Sequence, residues 1–80
     1  MRMLDLDDDK KLNRLILYLT KSEAKELRTS LDYIIEDPKQ HHHEHIPSED
    51  YQKEITICIY DEKNLEGFDE RSKKLILEDE

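Results

Sequence analysis

The sequence predicts a small α/β domain of the α+β kind: a β-α-β-α chain with two helices on one face of a small sheet. Three observations carry that expectation. Residues 51–60 alternate apolar and polar side chains, the period of a strand. Residues 21–36 place Ala24, Leu27, Leu31, Ile34 and Ile35 along one helical stripe. Residues 12–19 form a short apolar run, and the helix start signal that follows cuts it off as a separate element.

Residues 1–11 read as an acidic tail or an edge strand, and residues 12–80 as one domain. Asp5, Asp7, Asp8 and Asp9 repel one another and favour water. Their spacing mimics the opening of a calcium loop. The sixth position is Lys10 instead of Gly and the twelfth is Ile16 instead of Glu, so the ligand set is incomplete.

Residues 12–19 fit both a helical face and a strand. Thr20-Lys21-Ser22-Glu23 decides for the strand, because it is a capping box that starts a new helix at its own position. That helix runs to about residue 36 and is stopped by Pro38, which disfavours helical geometry in the residue before it. Residues 37–50 are expected to be a long His-rich loop. The strand over 51–60 turns Ile55, Ile57 and Ile59 to one side and Thr56, Cys58 and Tyr60 to the other. A second helix over 64–78 follows, capped by Asn64 and weakened by Gly67. The intervening helix and loop are long enough for a right-handed crossover between parallel strands. The two helices would cover the face of Leu15, Leu17, Ile55, Ile57 and Ile59.

Charge narrows the function. The formal net charge is −8, which disfavours nucleic acid and anionic membranes and favours basic protein partners. No apolar run approaches the roughly 18 residues of a membrane span, and the N-terminal residues lack a signal-peptide layout. A cytoplasmic location is the expectation. Apolar residues make up 35% of a short chain, so its own core is thin and a homodimer is expected to extend it.

All four histidines sit in His41-His42-His43-Glu44-His45. Imidazole is a common ligand for zinc, nickel and copper. In an extended segment His41, His43 and His45 project to one side, and Glu44 is a further candidate for zinc or nickel. Ligands on one segment lose entropy on binding, and no distant histidine completes a tetrahedral set. The same run, following a helix, could instead bond its last carbonyls, or answer to pH around the ordinary imidazole range. Cys58, between two isoleucines, reads as a small packed hydrophobe. A single glycine leaves no nucleophile elbow and no phosphate-cradling loop. No catalytic residue is assigned, and the chain is read as a non-enzyme.

The residues Leu17-Tyr18-Leu19-Thr20, Glu23-Ala24, Asp37-Pro38, the histidine run, Asp50-Tyr51, Glu54-Ile55-Thr56, Ile59-Tyr60, Asn64-Leu65 and Phe68 resemble a small bacterial protein family that carries no assigned activity. The resemblance spans 15–76. It implies a bacterial origin and adds nothing to the site. The expected function is a non-enzymatic protein-interaction module, immunity or antitoxin-like or regulatory. The alternative is a transition-metal-binding protein acting through the 41–45 run. A third reading leaves the histidines as a structural cap alone.

Overall fold

The computed structural model describes residues 1–37 and 43–80. It is an α+β domain, as expected, with a richer order than β-α-β-α. Strands β1 (Met3–Asp5) and β2 (Lys10–Leu12) precede helix α1 (Lys21–Glu36). Strands β3 (His43–Pro47) and β4 (Glu54–Cys58) follow, then helix α2 (Glu70–Glu78). The strands form two separate antiparallel pairs, β1 with β2 and β3 with β4. The parallel crossover is therefore not formed. Each strand finds its partner across a short local turn, which costs less loop entropy than a crossover.

The acidic N-terminal residues form a hairpin. Asp5 makes this possible: its Oδ1 accepts the amides of Asp7 (3.0 Å) and Asp8 (3.3 Å), so the aspartate run folds into an Asx-type turn. The hairpin is tied to α2 at both ends of the helix. Arg2 Nε donates to the carbonyls of Leu75 (3.0 Å) and Ile76 (3.3 Å), and Arg71 Nε lies 2.7 Å from Asp9 Oδ1.

Helix α1 occupies the expected span. Thr20, extended at φ −70° and ψ 165°, is its N-cap, and the capping box is complete. Thr20 Oγ1 accepts the Glu23 amide at 3.1 Å, and Glu23 Oε1 accepts the Thr20 amide at 2.8 Å. The other Glu23 oxygen accepts the Glu49 amide at 2.8 Å. One carboxylate thereby joins the helix start to the tip of the β3–β4 hairpin.

Three sequence expectations are corrected. Residues 12–19 are not a strand: Leu12 ends β2, and residues 13–19 carry no regular secondary structure. The long loop is shortened, because His43, Glu44 and His45 belong to β3. The second helix begins at Glu70, capped by Asp69, whose carboxylate accepts the Ser72 amide at 2.7 Å. Gly67 explains the delay. Its φ of 89° lies in the left-handed region that a right-handed helix cannot contain.

The core is small. Ile34 of α1, Ile46 of β3 and Leu75 and Ile76 of α2 are the buried apolar residues. Helix α1 packs on β3, and Ile46 stands opposite Ile55 in the hairpin register. The sheet face of Ile46, Ile55 and Ile57 is thus partly covered, while Ile59, beyond the strand end, is exposed.

Candidate functional site

Two regions carry chemistry or surface that the core does not use. The first is the second face of the β3–β4 hairpin. The register pairs His43 with Cys58, His45 with Thr56 and Pro47 with Glu54. Alternation along each strand puts these six on one face, and Glu44 on the other.

On that face His45 Nδ1 lies 3.1 Å from Glu54 Oε1 and 3.0 Å from Thr56 Oγ1. A carboxylate only accepts, so the contact with Glu54 selects a protonated Nδ1. In the neutral ring Nε2 then holds the free lone pair. His43 and His45 stack with ring centroids 6.5 Å apart. The edge of the stack meets Phe68 at 6.4 Å from the His43 ring. Glu54 and His45 are both more than half exposed (55% and 57%), so this is an open surface and not a cavity.

Carboxylates stand at both ends of the face. Glu49 and Asp50 lie in the hairpin turn; Asp61, Glu62, Glu66, Asp69 and Glu70 lie in the chain leading into and starting α2, against Lys53 and Lys63. Asp50 is held below the ordinary carboxylate range by the Ser48 hydroxyl and the Gln52 amide. Asp69 is held down by the Ser72 backbone amide and side chain, with smaller help from His43 and Arg71. Both are held in the anionic form more firmly than an unperturbed carboxylate. The Cys58 thiol moves the other way, pushed up by burial, which suits a packed thiol better than a nucleophile.

Of the sequence candidates, His43 and His45 come together, Glu44 is turned away from them, and His41 lies outside the described residues. Among the described residues no group of three or more His, Cys, Asp or Glu is placed to hold a metal ion. Sequence reasoning missed Glu54, Thr56 and Phe68 as neighbours of the imidazoles. The hairpin register brings the first two there, and a turn of known length between two strands would have revealed it.

The second region is the stretch before α1. Leu15, Ile16, Leu17, Tyr18 and Leu19 are exposed to 54%, 72%, 46%, 89% and 37%. The values alternate: the three leucines lean toward the protein, and Ile16 and Tyr18 face water. That is the period of an extended chain. Such an apolar patch on a small protein marks a contact surface.

The best-formed depression among the described residues is shallow and open, lined by Ser22, Lys25, Glu26, Thr29 and Ser30 on α1. No described helix is long and apolar enough to cross a membrane. The chain matches no protein-family model, no curated protein and no solved structure.

Proposed function

We propose that the chain is a non-enzymatic protein-interaction module, of the immunity or antitoxin-like or regulatory kind, that receives a basic protein partner on the open β3–β4 face. The observation that carries this reading is the set of carboxylates in the hairpin turn and in the segment between β4 and α2, in a chain of net charge −8. Ion pairs among the described residues engage Asp9, Glu54, Glu70 and Asp79, and the excess of 21 Asp and Glu over 13 Lys and Arg leaves an acidic surplus. Such a surface accelerates encounter with a cationic partner and sets its orientation. The open face favours a macromolecule over a small substrate, which prefers an enclosed cleft. A bacterial cytoplasmic setting belongs to this reading.

The test is recovery of the untagged chain from its source, followed by reconstitution with whatever stoichiometric partner is identified. A basic partner should bind with strong salt dependence. Replacing Glu49, Glu62 and Glu66 by Gln should slow association. An uncharged or acidic partner, or binding unchanged by those replacements, contradicts the reading.

A second reading rests on the His45–Glu54 contact. A carboxylate on one imidazole nitrogen orients the other toward a metal, and His43 stands beside it. Zinc or nickel would be the ion, with His41 as the remaining candidate from the run. Calorimetric titration with each ion decides. Heat that disappears in His43→Ala and His45→Ala supports it; a flat trace removes it.

A further inference from the structure

We infer that the chain forms a symmetric dimer in which residues 15–19 of one copy add as a strand to the open edge of β4 of the second copy. This uses the outer edge of β4, beside the face proposed for the basic partner.

Each member of the pair lacks something the other supplies. Among the described residues, strand β4 has one ladder neighbour, β3, in a sheet of two strands. Its outer edge therefore presents unpaired backbone groups, a template for another strand. Strand β3 also packs against α1, whereas the extensive contacts of β4 are with β3 alone. Residues 15–19 are extended, apolar and joined to no ladder. They run directly into an N-cap residue whose own backbone is extended. Within one chain, the segment and the β4 edge do not pair.

Charge identifies a second copy as the occupant. Between Lys10 and Ser22 the chain has no carboxylate, while Lys10, Lys11, Arg14 and Lys21 are all cationic. The partner for this segment is therefore acidic, and the rest of this chain is acidic. The match is finer than net charge. Arg14 and Lys21 bracket six uncharged residues, Leu-Ile-Leu-Tyr-Leu-Thr; Glu54 and Asp61 bracket six uncharged residues, Ile-Thr-Ile-Cys-Ile-Tyr. Laid side by side, the two runs place a cation against an anion at both ends, in either strand direction. Opposite charges across a ladder stabilise it, and like charges in a shifted register oppose it.

The arrangement is reciprocal, so two identical contacts close the dimer and leave no open end. Each two-stranded sheet becomes three-stranded, the size at which a sheet with an apolar face gains independent stability. Ile59 then gains an apolar neighbour across the new ladder, Ile16 or Leu19 according to strand direction, which adds to the four buried apolar residues among those described.

The test uses the native Cys58 on β4. The full chain carrying Leu17→Cys, which stands opposite Cys58 if the added strand is antiparallel, and separately Tyr18→Cys, which does so if it is parallel, is oxidised and its disulfides are mapped. At least one variant is expected to give a covalent dimer joined between the new cysteine and Cys58, lost when Cys58→Ser is added. A monomer with an internal link to Cys58, or a dimer joined only through two introduced cysteines, overturns the inference. In parallel, light scattering on the unmodified chain should give a dimer. Leu17→Asp, at an exposed site that leaves the monomer folded by circular dichroism, should raise the dissociation constant at least about tenfold, the effect of losing about 1.4 kcal/mol. A chain that is monomeric at every concentration overturns it as well, whatever else that monomer binds.

Discussion

Strand β4 and residues 15–19 each hold a short uncharged run between two charged residues, and only β4 is paired inside the chain. The difference lies in their neighbours. Strand β4 follows β3 across a turn built from side chains that bond their own backbone. Ser48 donates its amide to the Lys53 carbonyl at 2.8 Å and accepts the Lys53 amide on its hydroxyl at 3.0 Å. Residues 15–19 follow a strand already paired with β1 and precede a helix. They have no adjacent strand to meet. Composition makes a segment fit for a sheet; a nearby partner makes it a strand.

The comparison can be broken most strongly in the core. Ile46→Ala removes a side chain that is 3% exposed and should cost about 2–5 kcal/mol of stability. Leu17→Ala in the dissociated monomer should cost far less, because its side chain is already 46% exposed. Denaturant midpoints of the two variants at low concentration measure the contrast. Equal losses would mean that residues 15–19 are packed within the single chain.

The two turns that frame the regions should respond less. Tyr51 holds φ 59° in the hairpin turn and is 81% exposed, so Tyr51→Gly should stabilise β3–β4 by about 1 kcal/mol by removing the left-handed penalty. Thr20→Ala deletes the cap between residues 15–19 and α1 and should cost about 1 kcal/mol. Thermal unfolding of both variants checks the opposite signs.

The smallest effect is on pH dependence. The Thr20 and Glu49 amides hold Glu23 below its ordinary 4.5, and Asp50 and Asp69 are held below 3.8. A carboxyl with a lowered folded-state value adds stability that is present above its ordinary value and lost as pH falls through the lowered one. Stability should therefore decline only below about pH 4.5, taking the higher of those ordinary values. Glu23→Gln should flatten the upper part of that decline, as followed by acid titration of the circular dichroism signal.

Much of the fold was legible because its signals are local. The capping box at Thr20 and Glu23 placed α1 to the residue, and the alternation of Ile55, Thr56, Ile57 and Cys58 placed β4. What escaped was set by pairing. A Met-Leu-Asp strand has little periodicity, so residues 1–11 were read as a tail or an edge strand, and the Asx-type turn at Asp5 that pairs β1 with β2 was not seen. His43 and His45 were read as part of the 37–50 loop, yet Ile46, buried at 3% exposure, anchors the segment as β3. The second helix was read too early because its apolar spacing begins before Gly67, and a positive φ leaves no trace in spacing. At the candidate site His43 and His45 were foreseen as neighbours on one side. Glu54 and Thr56 were not, since they reach the imidazoles across the hairpin.

The backbone amides of residues 15–19 provide the most direct measurement of what this region does. Hydrogen exchange followed across a wide dilution series should show protection there and along β4 at high concentration, with both fading together as the dimer dissociates. Fast exchange of residues 15–19 at every concentration would contradict strand addition. Equal protection at every concentration would show that the segment is satisfied within one chain.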